Sequence, residues 1–582
     1  MILTDEQRKA VKYDNNCLIT ACPGSGKTRT LVAKLILCLN EVRETPRKIA
    51  CVTYTNSAVY EIENRLKIYG KTGDEDYCEI STIHSFCLSN ILQYFYWKIP
   101  EYKDGFKVLS PDNSDFEKII KLTCKSENIN KVKEDFERLC RNPDGNPMMP
   151  FGSLITPELA LNFWSNLQKE KYIDFPNIIY YSYYLLNNFS FIANAIACKF
   201  TWFLVDEFQD TTSLQVEIFK KIFCCNKTKF FLVGDPFQSI YGFTGARPDL
   251  MDNFSQEINA KRDFKLLLNF RSNESIIKHA EILFPRNPPM RVSESRKALI
   301  EPIYIHCSTA FEAIVDYFIP TIDKLNIKFG DCAILAPWWV KLFLLGRQLR
   351  EYGIPIIGPG SRPYKKSHLI APLIENICSY IEYPNSKTLY KIEKELFNLI
   401  NNITGSANFK VYSYYGRVII YRIINCGIKI SQIEINAILW LKKAIENFAD
   451  ILIESEFLPL SAKQLMTESA DEIKRDIEEK KIDLNNLSIY DIGIFANPDK
   501  NIKLLTMHGA KGREFEAVSI IDLHEGRVPH YSAKTREQVE ESKRLFYVSI
   551  TRAKSFLMYV TDTENQRNIP CRFLCEEGLN LI

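Results

Sequence analysis

Bulk charge is almost absent from this chain: 74 lysines and arginines face 71 aspartates and glutamates, a formal net charge of +3 over 582 residues. Overall basicity therefore draws it to no nucleic acid or membrane surface, and any strand binding needs a local groove. A secretory leader is missing as well, because MILTDEQRKAVKY sets charges where an apolar segment would have to lie. The 17 cysteines are scattered without paired spacing. That pattern excludes a disulfide framework and reads as small hydrophobes in a reducing cytoplasm. Cys571 and Cys575 could share a metal, but no second pair accompanies them, so they read as packing. The stretch from Asn177 to Cys198 carries no charge, yet its four asparagines and two serines are costly in lipid. It reads as buried helix and strand, and the protein as one that does not enter a membrane. No internal repeat, low-complexity tail or disordered linker is visible.

What is present is the composition of a folded protein, 46% hydrophobic and 25% charged, at a length that implies two to four domains. Strand-sized apolar runs recur at Cys17–Ala21, Ile49–Thr53, Trp202–Val205, Phe230–Val233, Ala333–Ala336 and Val518–Asp522. Most are followed by helical periodicity, which predicts parallel α/β layers. Two charged, helix-patterned segments interrupt them, near residues 88–200 and 385–487, and read as helical insertions in α/β lobes.

The chemistry begins at CLITACPGSGKT, Cys17 to Thr28. A strand runs into a glycine-rich loop and a helix start, the arrangement that turns backbone N–H groups and a helix dipole towards phosphates. Gly24 and Gly26 permit the close approach, with Ala21, Cys22, Pro23 and Ser25 completing the loop. Lys27 would reach the β- and γ-phosphates of ATP, and Thr28 would hold Mg2+. Ala21 stands where the strict pattern has its first glycine.

TWFLVDEFQD, Thr201 to Asp210, ends a strand on Asp206 and Glu207. An Asp-Glu pair alone is an ordinary solvated loop. Downstream of a phosphate loop, Asp206 suits the magnesium shell and Glu207 the orientation and deprotonation of an attacking water. Gln238, in FLVGDPFQSIYGF, follows another strand and can sense the γ-phosphate. Arg271, in LLLNFRS, and Arg552, in YVSITRAK, could stabilise transition-state charge from an opposing lobe, although by spacing alone they are ordinary ion-pair residues.

Taken in order, these segments resemble the UvrD/Rep/PcrA family of superfamily 1 helicases. LTDEQ is similar to its Q motif, ACPGSGKTR to motif I, TYTNSAVYEIENRL to motif Ia and STIHSF to motif Ib. VDEFQD resembles motif II, GDPFQSIYGFTGA motif III, LNFRS motif IV, LLTMHGAKGREFEAV motif V and EESKRLFYVSITRA motif VI. The resemblance implies two RecA-like parallel-sheet lobes. Lobe 1A would hold residues 1–87 and 201–260, with helical insertion 1B at 88–200. Lobe 2A would hold 261–384 and 488–582, with helical insertion 2B at 385–487. It implies that Gln7 reads adenine between Arg29 and Phe270, where the family has tyrosine, and that Glu514 bonds the ribose. It further implies a strand groove lined by Tyr54, Thr55, Asn56, Thr82, His84, Tyr241, Phe243 and His508, in which bases stack on rings without sequence preference.

The expected function is therefore an ATP-dependent motor that moves along single-stranded DNA, 3′ to 5′ by resemblance, and separates tailed duplex. Departures are visible. Gly242 and Thr244 stand where the family flanks its aromatic with arginines, and Trp338-Trp339, in LAPWW, where an arginine commonly follows the strand. Fewer cations imply weaker phosphate contacts. The second insertion is short, and no nuclease domain or partner-binding tail is expected after motif VI. These features motivate an alternative: an ATP-gated, DNA-sensing subunit of an OLD-family nuclease complex, as in phage-defence systems such as Gabija. A simple P-loop kinase would leave the motifs of the second lobe without a role.

Overall fold

The computed structural model describes residues 1–126, 129, 131–149, 153–242, 245–297, 300–405, 408–480, 482–564 and 569–576. The chain forms two compact units, Met1–Leu299 with Ser532–Thr551, and Ile300–Tyr531 with Arg552–Ile582. Each is built around a six-stranded, wholly parallel sheet.

In the first unit the strands are β1 (Cys17–Ala21), β2 (Lys48–Thr53), β3 (Cys78–Thr82), β4 (Phe200–Val205), β5 (Lys229–Gly234) and β6 (Lys261–Leu266). Their spatial order is β6-β1-β5-β4-β2-β3. The helix Lys27–Val42 carries the chain from β1 to β2 across a gap that β5 and β4 later fill. The carboxyl ends of β1, β5 and β4 thus become neighbours, the position where open parallel sheets bind ligands. One sheet face packs Leu31, Leu35 and Leu39 of that helix onto Ile19, Cys51 and Phe231. The other packs Phe203, Phe230 and Val205 against Phe86, Phe219 and Phe254. A helical insertion after β3 has a further core of its own around Phe116, Phe136, Phe163 and Trp164.

The second unit has β7 (Ile303–Cys307), β8 (Cys332–Ala336), β9 (Ile356–Ile357), β10 (Ile502–Thr506), β11 (Phe515–Ile520) and β12 (Ala553–Asp562), ordered β7-β12-β11-β8-β10-β9. Every residue of β8 is buried, as expected of an interior parallel strand covered on both faces. Between β9 and β10 lies a helical bundle. Its helix Ser386–Thr404 buries Thr388, Ile392, Leu396, Leu399 and Ile400, a single stripe at helical spacing. Asn385 caps that helix by accepting from the Thr388 N–H at 2.8 Å, and Gly405 ends it at φ 69°. Trp440 fills the bundle core and donates its indole N–H to the Gly427 carbonyl at 3.0 Å.

Three expectations are revised. The charge-free stretch from Asn177 contains no strand: it forms the helices Phe175–Asn188 and Ser190–Lys199, and β4 begins only at Phe200. Among the described residues no helix is long and apolar enough to cross a membrane. The run expected at Val518–Asp522 is β11 at Phe515–Ile520, because pairing with β12 starts at Phe515↔Ala553. Residues 261–299 and 532–551, read in sequence as part of the second lobe, pack in the first unit, where β6 pairs with β1. No disulfide joins the described cysteines, Cys571 is buried, the Cys575 side chain lies outside the described ones, and no metal-holding cluster occurs among the described residues.

Trp440→Ala removes a fully buried indole and leaves the Gly427 carbonyl without its donor. It should destabilise the bundle by ~3–5 kcal/mol, read as faster proteolysis within residues 371–496 than elsewhere.

Candidate active site

Residues Cys22–Gly26 leave β1 at its buried last residue, Ala21, and enter the helix Lys27–Val42. Gly24 and Gly26 sit at φ 66° and 81°, a region that side chains other than glycine rarely adopt. Space forbids a side chain too: a Cβ on Gly24 would stand 2.5 Å from Arg271 Cβ, and one on Gly26 2.8 Å from Gln7 Nε2. The Ser25 hydroxyl donates to the Cys22 carbonyl at 2.7 Å, and burial pushes the Cys22 thiol up to about 12, leaving it protonated and inert. From the far side, Asn269 Nδ2 donates to the Pro23 carbonyl at 2.7 Å and the Phe270 N–H to the Gly24 carbonyl at 2.9 Å. The loop is braced before any ligand arrives.

β4 delivers the carboxylates. Asp206 is buried, and its N–H donates to the Val52 carbonyl of β2 at 2.9 Å. Glu207 takes φ 49°, a left-handed conformation that is costly for glutamate. That turn aims its carboxylate at Lys27, whose Nζ lies 3.1 Å from Glu207 Oε2. Gln209 Nε2 donates to the same oxygen at 2.5 Å. Lys27 Nζ also reaches Gln238 Oε1 at 3.5 Å, while Gln238 Nε2 donates to Asp235 Oδ2 at 2.8 Å. Burial, then the neighbouring Glu207 charge, raise the Asp206 carboxyl to about 7, with Lys27 opposing. Two close carboxylates with one ammonium are short of positive charge. That donor set, with the Thr28 hydroxyl in the first turn of the loop's helix, fits a hard divalent cation such as Mg2+.

Gln7 occupies N3 of a capping box with Thr4 and donates Nε2 to the Ser25 carbonyl at 2.9 Å, so its amide lies on the phosphate loop. Arg29 and Phe270 face each other, with the guanidinium carbon 6.0 Å from the ring centroid. Arg271 was expected beside Arg552 on an opposing lobe. It belongs to the unit that carries the phosphate loop, because β6 pairs with β1 and its continuation passes Gly24. Arg552 is buried in the second unit and donates Nη1 to the Arg513 carbonyl at 3.1 Å. Glu514, also there, pairs with Lys554 at 3.0 Å.

The same edge of the first sheet presents rings. Tyr54, beyond β2, stacks on Tyr241 at 5.1 Å and 21°. Thr55 and Asn56 are exposed at the start of the helix Asn56–Tyr69, and Thr82 caps the helix Ile83–Cys87 by accepting from the Ser85 N–H at 3.2 Å. Burial depresses His84 to about 4, so it is an uncharged ring at neutral pH. Phe175 packs edge-on against it at 6.2 Å and remains 43% exposed. Phe243 lies outside the described residues.

In the second unit β8 lies between β10 and β11, so their carboxyl ends share one edge. That edge carries His508 after β10, Trp338 and Trp339 after β8, and His530 and Tyr531 after β11. Trp338 and His530 rings are 5.0 Å apart, and His530 and Tyr531 4.0 Å. Below Trp339 a cleft of about 850 Å3 is lined by Phe343, Arg362, Lys366 and Arg513, among others, with no acidic residue in its described lining.

Comparison with known proteins covers the whole arrangement. Residues 3–259 match the UvrD/REP helicase N-terminal domain and residues 435–564 the UvrD-like helicase C-terminal domain. The chain is 28% identical to the ATP-dependent DNA helicase Rep of Buchnera aphidicola subsp. Acyrthosiphon pisum, over 99% of this chain and 98% of the relative. It is 26% identical to the ATP-dependent DNA helicase PcrA of Staphylococcus epidermidis, over 99% and 86%. The chain belongs to the UvrD/Rep helicase family.

In this UvrD-like chain, Phe175, Trp338 and His530 are ring positions that motif reading passed over as candidates for the strand surface. Phe175 had a signal: an apolar residue directly after the N-cap Asp174, at a position with nothing to bury it. His530 had none, because 192 residues separate it from Trp338, whose ring it meets at 5.0 Å.

His84 gives a pH signature. Its folded value lies below the unfolded one, so the unfolded chain binds more protons and stability falls as pH drops from about 6.5 to 4. His84→Phe should flatten that part of a thermal-midpoint profile measured between pH 4 and 7.

Proposed function

We propose that this UvrD-like chain is an ATP-driven motor that translocates along single-stranded DNA, 3′ to 5′, and separates tailed duplex. The observation that carries the reading is the set formed by Lys27, Glu207 and Gln238 at the carboxyl ends of β1, β4 and β5. Lys27 exchanges Glu207 for the β- and γ-phosphates, cradled by the N–H groups of the Gly24–Thr28 loop. Glu207, freed from the ammonium and still held by Gln209, orients a water and accepts its proton as the oxygen attacks the γ-phosphorus. The bond to the β-phosphate oxygen breaks, and ADP leaves with its electron pair. Asp206 and Thr28 are the residues that would hold Mg2+, which when bound neutralises phosphate charge. Gln238 meets the γ-phosphate, and Arg271 and Arg552 supply guanidinium charge in the transition state. Adenine lies between Arg29 and Phe270, and Glu514 takes the ribose.

Strand binding uses Tyr54, Tyr241, His84 and Phe175 on the first unit and His508 with the Trp338 edge on the second. Rings are worth ~1–3 kcal/mol per stacked base and accept any sequence. The two units taken as lobes 1A and 2A, with residues 261–299 and 532–551 in the first, and the helical insertions taken as 1B and 2B, are part of this reading.

A second reading is favoured by glycine and tryptophans at positions 242, 338 and 339, where the family resemblance implies cations. It makes the chain an ATP-gated strand sensor for a nuclease partner of the OLD class, with little unwinding by itself.

ATP turnover measured with no nucleic acid, single-stranded DNA, RNA and tailed duplex tests both. Strong stimulation by single strands with duplex separation is expected. Stimulation without separation favours the sensor, and turnover indifferent to strands overturns both. Lys27→Ala should abolish turnover, and residual wild-type turnover would remove the phosphate loop from the chemistry. Arg552→Ala should lower kcat by ~10³-fold with a much smaller change in KM for ATP; equal losses in both would deny it a transition-state role.

A further inference from the structure

The helix Arg536–Ile550 runs along the loop 235–242, one turn per step. At one end, Arg286 Nη2 donates to Asp235 Oδ1 at 2.8 Å, to Asp235 Oδ2 at 2.9 Å and to the Tyr547 hydroxyl at 2.9 Å. One turn earlier, Arg544 Nε donates to the Ser239 carbonyl at 2.8 Å. Another turn earlier, Glu541 faces Gly242, where an added Cβ would stand 2.7 Å from its carboxylate. Residues 547, 544 and 541 form one helical face, and they meet residues 235, 239 and 242 in matched, antiparallel order.

Gln238 and Tyr241 stand between these anchors. Gln238 is held by Asp235 and accepts from Lys27, and Tyr241 is stacked on Tyr54. A nucleotide-facing amide and a strand-facing ring therefore share one short loop on one backing helix. The anchor at residue 235 is the strongest of the three. The Arg286 side chain is 5% exposed and Asp235 is fully buried, so each charge depends on the other in a place water does not reach. Phe237 lies 4.8 Å from the guanidinium and is itself stacked on Phe284, which closes the pair off. Arg286 lies in none of the motifs, and Tyr547 lies within the motif VI segment, which by itself does not point to Arg286.

We propose that Arg286, through Asp235 and Tyr547, is a positioning residue that couples ATP turnover to strand binding. By holding Asp235 it fixes Gln238, and by tying the helix Arg536–Ile550 to the same loop it makes a shift at Gln238 carry through to Tyr241. The inference rests on the roles proposed above for Gln238 and Tyr241. Arg286 itself touches neither nucleotide nor strand.

The test compares the full-length protein with Tyr547→Phe and Arg286→Lys. The readouts are thermal midpoint, KM for ATP, and kcat with and without saturating oligothymidylate. Tyr547→Phe deletes one oxygen from a packed ring and should fold. Its ratio of stimulated to basal kcat should fall roughly tenfold, the worth of one charge-assisted hydrogen bond, with KM within about twofold of wild type. Arg286→Lys keeps the charge but loses the planar fork, and should lower the ratio at least as far. Wild-type ratios in both variants would overturn the proposal. So would basal and stimulated kcat falling together in proportion to a lowered midpoint, the mark of a merely structural role. A wild-type protein that strands do not stimulate would defeat the motor reading, and this inference with it.

Discussion

Parallel pairing sets the carboxyl ends of β1, β5 and β4 side by side, and the contact between Lys27 and Glu207 is what that alignment creates. Both groups are largely withdrawn from water, with the ammonium side chain 11% exposed, so neither is stable there without the other or a substitute. A triphosphate with its cation is such a substitute. The left-handed backbone at Glu207 and the two positive-φ glycines of the loop are conformational costs held in place by the packed sheet beneath. The loop is braced from β1 on one side and from the Asn269–Arg271 turn on the other, so little remains to be ordered when ligand binds.

Near-neutral net charge and an aromatic strand surface belong together. A motor that must release its track on every cycle gains from contacts that slide from base to base, and in the proposed function stacking on Tyr54, Tyr241 and the Trp338–His530–Tyr531 array would have that character. The cleft beneath Trp339 gathers Arg362, Lys366, Lys503 and Arg513 with no acidic residue in its described lining. On that proposal the surface would bind strands with a shallower dependence on salt than an arginine-lined groove.

How much of this was readable beforehand depended on range. The phosphate loop, the Asp206-Glu207 pair and Gln238 each lie at the end of an apolar run, where a strand, a turn and a reactive group follow within a dozen residues. The α/β class followed from the same runs. Half of the sheet strands escaped: β3, β6, β7, β9, β10 and β12 carry charges or polar residues, or are only two residues long, so composition did not separate them from loops. β12, the longest, opens with Ala553-Lys554-Ser555 and gave no apolar signal there. Missing β6 had a consequence, for without it Arg271 is naturally assigned to the far half of the chain, whereas its pairing with β1 sets that arginine against Gly24. The contact between Arg286 and Tyr547 was invisible for a different reason: 261 residues separate two partners that meet in space.

Neither unit is a continuous stretch of chain. The backbone passes between them after residues 299, 531 and 551, and the first unit takes back its helix Arg536–Ile550 only on the second passage. During synthesis the ATP-binding half therefore stays unfinished until 551 of the 582 residues exist, with Asp235 and Arg286 waiting for Tyr547. A ribosome that stops before residue 547 releases a first unit whose buried Asp235–Arg286 pair lacks its tyrosine hydroxyl.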